Sequence, residues 1–383
     1  MRTALHPLNT RKSAQSGQPS LLQYFRWVPF FGSAVRAFGE EKLGDVDDMF
    51  LGEGATYQVW RSKIPSREVR QRPPQWQAEE LTESDKRVVA LKKAKIALSA
   101  SEADCPGDPI MENGFDVVLR ELVVTHHFSA HPNVISLLAL GLEMIEDRPQ
   151  PYVVFEYSSL GTLQSYLKRC SPSSSATEKR GLCADVAQGL RALHQAGIVH
   201  GDVKVENALV FRCNLASRAV VAKLSDFGAS VFPVPDLPDL PYSGTPLLNA
   251  PEIRLNTSDA SVGEPDEEAL KVRYKRCDIF SFGLLVWEVV LDGRRYVDEL
   301  TLGIAAGTDQ DRLAFLNTLP ANGLVGKSSE SLALLQNHQE DNDNRPNLSI
   351  LCSIIPSCLS DDPLERPSAE DLCHALTDAV SQQ

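Results

Sequence analysis

Short apolar runs broken by polar punctuation make up the first part of the chain, and longer apolar stripes follow. Phe50-Leu51-Gly52-Glu53-Gly54-Ala55-Thr56-Tyr57-Gln58-Val59-Trp60 reads as strand, glycine turn, strand. Val88-Val89-Ala90-Leu91-Lys92 predicts a further strand that ends in lysine, and Ile135 to Leu140 and Pro151 to Tyr157 predict two more. One helix falls among them, over Phe115 to Phe128, where Val118, Leu122 and Thr125 share a face with the Glu121 turn. Beyond residue 158 the period lengthens. Glu178 to Ala196 carries Leu182, Val186, Leu190 and Leu193 on one stripe and stops at Gly197. Ile279 to Leu291 is the most apolar stretch; Glu288 interrupts it, and it reads as a buried helix. No apolar run reaches the ~18 residues of a membrane-spanning helix. Between these helices, Ala208 to Phe211 and Val220 to Leu224 predict a hairpin that sets Asn207 and Asp226 at neighbouring strand ends.

The polar stretches read as loops. Ser62 to Arg87, with Pro65, Pro73 and Pro74, and Ser99 to Gly114 predict insertions, and Ser171 to Ala176 is a serine-rich loop. Phe232 to Pro241 is too proline-rich for a helix. Arg294 to Leu348 carries no motif and predicts helices with inserted loops, one around Gln336 to Pro346. Residues 1–39 contain no Asp or Glu but carry Arg2, Arg11, Lys12, Arg26 and Arg36. The part up to Ser20 predicts disorder. That composition is also that of a mitochondrial transit peptide. Pro29 and Gly32 break any helix here, which favours an aromatic tail packed on the domain that follows.

Composition narrows the classes. With 383 residues, 43% apolar and 23% charged, the chain suits one two-lobed domain or two ordinary ones. A net charge of −13 argues against nucleic acid as the main partner. Eight cysteines without a C-x-x-C pair read as reduced thiols of an intracellular protein.

The chemistry gathers between Ile198 and Ser230. Asp202, Lys204 and Asn207 are clustered, and Asp226 follows nineteen residues after Asn207. A carboxylate beside an amide suits a hard cation such as Mg²⁺ that also holds phosphate oxygens. Asp202 would face the same space as a base. The bland alternative is a set of loop acids at strand ends. Gly52 and Gly54 would let backbone close over phosphate oxygens, although a lone G-x-G is most often a turn.

The ordered set resembles the protein kinase family. His200-Gly201-Asp202-Val203-Lys204-Val205-Glu206-Asn207 and Asp226-Phe227-Gly228 resemble its H-R-D-x-K-x-x-N and D-F-G, with Gly201 where the family has Arg. Val88 to Lys92 resembles V-A-I-K, Ala250-Pro251-Glu252 resembles A-P-E, and His131-Pro132-Asn133-Val134 is family-like. Tyr57 stands at the third glycine of the family's loop. The resemblance implies an α+β, two-lobed fold. Residues 45–157 would be a small β-rich lobe, 158–380 a larger, mainly helical lobe, and 1–44 a partly disordered extension. It implies that Lys92, with Lys93 and Lys95 as competitors, holds the α- and β-phosphates and pairs with Glu121. Leu51, Gly52, Glu53, Gly54, Val59, Ala90 and Leu209 would contact the nucleotide. Backbone groups of Glu156, Tyr157 and Ser158 would bind the adenine edge, and Phe155 would guard a small back pocket. Asn207 and Asp226 would hold Mg²⁺, Asp202 would accept the proton of the attacking hydroxyl, and Lys204 would offset charge on the moving phosphoryl group. Asp278 would brace the catalytic loop from the start of its helix, and Arg366 would pair with Glu252.

The implied function is ATP- and Mg²⁺-dependent phosphorylation of proteins. Lys204 and Gly244-Thr245-Pro246 resemble the serine/threonine kinases. Glycine at 201 implies activity without phosphorylation of the activation segment. The alternative is a pseudokinase that binds nucleotide or partners. The H-G-D variant with its insertion resembles divergent fungal kinases. The implied partners are ATP and Ser/Thr-bearing proteins, with no nucleic acid and no integral membrane span. The expected location is cytoplasmic, with mitochondrial as the alternative.

Overall fold

A computed structural model describes residues 49–54, 57–65, 86–95, 109–145, 148–171, 174–215, 218–233, 241–255, 267–302, 307–337 and 345–377. The expected extension 1–44 lies outside them, as does most of each expected insertion. Strands β1 (Met49–Glu53), β2 (Tyr57–Pro65), β3 (Lys86–Ala94), β4 (Leu137–Ile145) and β5 (Arg148–Glu156) form one antiparallel sheet in the order β1-β2-β3-β5-β4. Strand pleating turns alternate residues of β3 to opposite faces. Val89 and Leu91 pack with Leu138, Ala139, Tyr152 and Val154. Ala90 and Lys92 therefore face the other way, toward helix α1 (Pro109–His127), whose Val118 and Leu122 join the main core with Leu137, Leu140 and Val153.

The second lobe is mainly helical: α2 (Leu163–Cys170), α3 (Ala176–Gln195), α4 (Pro251–Arg254), α5 (Glu267–Val290), α6 (Tyr296–Leu300), α7 (Asp309–Asn317), α8 (Gly323–Asn337), α9 (Arg345–Cys358) and α10 (Ala369–Thr377). A hairpin of β6 (Ala208–Leu215) and β7 (Arg218–Leu224) interrupts them. Ser175 caps α3 by accepting from the Glu178 N–H, and the expected stripe Leu182, Val186, Leu190 and Leu193 is fully buried. The core of the lobe is the second half of α5, where Phe280, Phe282 and Trp287 have no exposed surface.

Several element ends differ from expectation. Helix α1 begins at Pro109 rather than Phe115. Proline suits a first helical position, but Glu112-Asn113-Gly114 separates the apolar pair Ile110-Met111 from the stripe that follows. Strand β2 runs on to Pro65 and pairs with β3 as far as Lys86, so the gap between them is 66–85. Asp278 lies in the middle of α5 and not at its start, because the helix begins at Glu267. Its first half is polar and half-exposed, so the apolar run marked only the buried remainder. The motif-free stretch after Arg294 supplies α6, α7 and α8. Among the described residues no helix is long and apolar enough to cross a membrane.

Candidate active site

A cavity of about 870 Å³ opens between the sheet, α1 and the β6–β7 hairpin. Its apolar walls include Val59 from β2, Ala90 from β3, Phe155 from β5 and Leu209 from β6. Its polar walls include Lys92, Glu121, Asp202, Lys204, Asn207 and Asp226.

The three lysines at the end of β3 separate by pleat. Lys93 pairs with Glu143 at 2.8 Å and Lys95 with Glu53 at 3.4 Å. Lys92 alone of the three reaches the cavity, with Nζ 2.6 Å from Glu121 Oε1 and 3.4 Å from Asp226 Oδ1. The rings of Tyr57 and Phe155 flank its ammonium at 5.0 and 5.6 Å, a cation–π arrangement. Burial works against the Lys92 charge, but the Asp226 and Glu121 carboxylates outweigh it and raise its pKa. Burial pushes the Glu121 carboxyl up against the pull of Lys92. Asp226 is held low, chiefly by the Lys92 charge.

The hairpin does what its pattern promised. Ala208 pairs with Leu224, and the Ser225 N–H donates to the Asn207 carbonyl at 2.8 Å, which leaves Asn207 and Asp226 adjacent. Asp226 adopts φ +65, a left-handed conformation that Asp tolerates better than most residues. The Asn207 amide Nδ2 donates to the Asp202 carbonyl and to Asp202 Oδ2, both at 2.9 Å. Lys204 Nζ donates to Asp202 Oδ2 at 2.6 Å and to Thr245 Oγ1 at 3.0 Å. The Thr245 hydroxyl donates to Asp202 Oδ1 at 2.7 Å.

The loop that carries Asp202 is held from below. Asp278 accepts from the backbone N–H of His200 at 2.7 Å and of Gly201 at 3.0 Å, and its carboxylate also meets His194 Nε2 at 2.9 Å. Gly201 sits at φ +83, where a Cβ would lie 2.2 Å from the Ala229 carbonyl oxygen. Farther out, Arg366 grips Glu252 through two bonds of 2.6 and 2.9 Å. Burial raises the Glu252 carboxyl, but the Arg366 fork outweighs it and the net shift is downward.

Six expected nucleotide contacts fall outside the cavity lining. Leu51 is 42% exposed on β1, and Gly52 and Glu53 beside it are likewise absent from the walls. A Cβ at Gly52 or Gly54 would meet nothing within 4 Å, so backbone does not crowd this turn. The Glu156 carboxylate turns away into a buried pair with Lys223, 2.7 and 2.9 Å, and accepts from the Ser136 N–H at 2.7 Å. The Tyr157 ring lies 5.7 Å from the Arg61 guanidinium, and the Ser158 hydroxyl donates to the Val210 carbonyl. The Glu156 N–H itself donates to the Ser136 carbonyl at 3.2 Å. Sequence reasoning missed the inward placing of Tyr57, whose signal was the departure from a third glycine. It also missed Arg120 and Lys223, each fully buried, for which no local pattern gave a sign.

The protein kinase domain family matches residues 78–376. The chain belongs to the protein kinase family. It is 30% identical to ephrin type-B receptor 5 of Gallus gallus over 187 residues, 47% of this chain and 16% of that protein. It is 26% identical to the probable serine/threonine-protein kinase drkC of Dictyostelium discoideum over 295 residues, 76% of this chain and 31% of that one. It is 29% identical to activin receptor type-1C of Rattus norvegicus over 167 residues, 42% of this chain and 32% of the receptor. The matched part of this kinase-family chain thus spans less than a third of each of these relatives.

Proposed function

We propose that this chain is an ATP-dependent protein kinase acting on serine and threonine hydroxyls. The observation that carries the reading is the triangle of Asp202, Lys204 and Thr245. Carboxylate, ammonium and hydroxyl stand 2.6 to 3.0 Å apart, beside the cavity that holds Lys92, Asn207 and Asp226.

The donor set fits Mg²⁺ and ATP. Magnesium takes one or two protein oxygens together with phosphate oxygens and waters, so it needs no all-protein cage. Asp226, half-exposed and kept ionised by Lys92, and the oxygen of Asn207 would be those ligands. The chemistry such an ion supplies is positive charge against the phosphate oxygens, held in place by Asp226 and Asn207. Val59, Ala90 and Leu209 would enclose the adenine, and Phe155 would close the back. Lys92, fixed by Glu121, would hold the α- and β-phosphates. Asp202 would orient the acceptor hydroxyl and receive its proton, while Lys204 would offset charge on the transferred group. Lys204 and Thr245 support Ser/Thr acceptors, and drkC carries that specificity in its name. The second reading, a nucleotide-binding scaffold, is favoured by Tyr57, whose ring stands near Lys92 at the family's third glycine position.

The test is phosphate transfer from ATP-Mg to a peptide library with Ser, Thr or Tyr acceptors. Asp202→Asn is expected to lower the rate by about 10²–10⁴ while Tm holds. Transfer confined to Tyr would overturn the specificity. A wild type that transfers nothing yet gains Tm with ATP-Mg would support the scaffold.

A further inference from the structure

Arg120 has no exposed surface, yet it carries a guanidinium that is always protonated. It belongs to one face of α1, with Val117 and Glu121 at helical spacing. Each of the three touches a different part of the site. Glu121 holds Lys92. Val117 backs onto Gly228 so closely that a Cβ there would lie 2.4 Å from Val117 Cγ1. Arg120 donates to the Phe232 carbonyl at 2.9 Å and, less closely, to the Ser230 carbonyl at 3.5 Å, with its guanidinium 5.6 Å over the Phe232 ring.

The opposite edge of the same strip is bound to the loop that carries Asp202. Val199 and Val231 exchange backbone hydrogen bonds of 3.1 and 3.0 Å, the Ser230 hydroxyl donates to the His200 carbonyl at 3.2 Å, and Ala229 abuts Gly201. Residues 227–232 are therefore clamped between α1 and the catalytic loop. An outward swing of α1 that parted Glu121 from Lys92 would also strip a buried guanidinium of its carbonyls, which is costly in a water-free setting. Ser230 and Tyr242 are 0% and 5% exposed, so neither hydroxyl is open to modification in this arrangement.

We infer that Arg120 is a positioning residue that latches the strip after Asp226 to helix α1, so that the Lys92–Glu121 pair and Asp226 are set together without a phosphoryl group on the segment. The inference rests on the kinase reading for its catalytic consequence and on hydrogen exchange for its structural one. The experiment uses the phosphatase-treated full chain with Arg120→Met, which keeps length and loses the fork, and Arg120→Lys, which keeps charge. In the Met variant the amides of Ser230 and Val231 are expected to exchange at least tenfold faster. kcat should fall at least tenfold while KM for ATP-Mg moves less than threefold, and the Lys variant should recover part of both losses. Exchange and kcat within twofold of wild type would overturn the latch, as would a tenfold loss of wild-type kcat on phosphatase treatment. Should Arg120→Met fail to fold, Phe232→Leu removes the stacking ring and leaves α1 intact. It is expected to speed the same amides at least threefold, and unchanged exchange there overturns the inference. A wild type without transferase activity, whose exchange still accelerates in Arg120→Met, keeps the latch and removes the kinase reading.

Discussion

Gly201 occupies the left-handed region at φ +83, and the Ala229 carbonyl oxygen fills the place of its Cβ. The sequence marked this residue as a missing arginine; the structure adds that no side chain fits. Gly201→Ala is expected to cost about 1–2 kcal/mol for the backbone conformation and about 1–3 kcal/mol for the overlap, read as a lower urea midpoint at unchanged m. A variant as stable as wild type would mean that Ala229 gives way freely. At this scale the legible residues were those fixed by spacing, Asp202, Lys204, Asn207 and Asp226; Lys92 was legible only as one of three lysines, and the structure separates it from Lys93 and Lys95. Leu51 and Glu53 carried a family position without a side chain turned inward. The partner of Glu156 lies 67 residues away and no local pattern could announce it.

At the scale of elements, the short helix α4 is tied to the turn before α10 by one buried ion pair. Arg366 also donates to the carbonyls of Ser360 and Arg276 and stacks on Phe280 at 5.0 Å. Removing one partner leaves the other charge buried and alone, so Arg366→Ala is expected to lose roughly 3–5 kcal/mol of stability. The measurement is chemical unfolding, with ATP-Mg affinity as the control that should hold. Glu252 titrates below its unfolded value, so its contribution is present above about pH 4.5 and fades as pH falls through the lower folded value. Helices with an apolar stripe, such as α3, were legible over nearly their whole length: α3 starts at Ala176, two residues before the expected Glu178, and ends at Gln195. Helices α1 and α5 were legible only in part: the apolar pair Ile110-Met111 is cut off from the rest of α1 by Glu112-Asn113-Gly114, and the first half of α5 is largely polar.

For the whole molecule, pH stability is expected to carry the mark of Glu288. Burial inside α5 pushes this carboxyl up to about 8; neighbouring Glu206 adds to the shift, and the Tyr296 N–H, Arg295 and Lys168 pull against it. A folded pKa above the unfolded one stabilises fully below about pH 4.5 and loses that stability as pH rises toward 8. The slope in that window is at most about 1.4 kcal/mol per pH unit. Glu288→Gln should flatten it in Tm measurements between pH 5 and 8, and an unaltered slope would assign the dependence to other groups. Nucleotide should also stabilise the whole fold, by about 2.7 kcal/mol at a hundredfold excess over Kd. Asp226→Asn is expected to remove the magnesium-dependent part of that gain, followed by calorimetry with and without EDTA.

The buried bond between Glu156 and Lys223 has a kinetic meaning. Glu156 closes β5 in the sheet, and Lys223 lies on β7 just before the chain reaches Asp226. The two charges sit on the crease between the lobes, where parting them would mean separation without water. Relative motion of the lobes that keeps this pair joined would cost less than motion that parts it; Gly54 and Ser243 line the cavity between the lobes. Release of nucleotide would then depend on how firmly this pair holds the lobes together. Lys223→Met is expected to quicken ADP dissociation several-fold in stopped-flow fluorescence; a rate equal to wild type would put that control elsewhere.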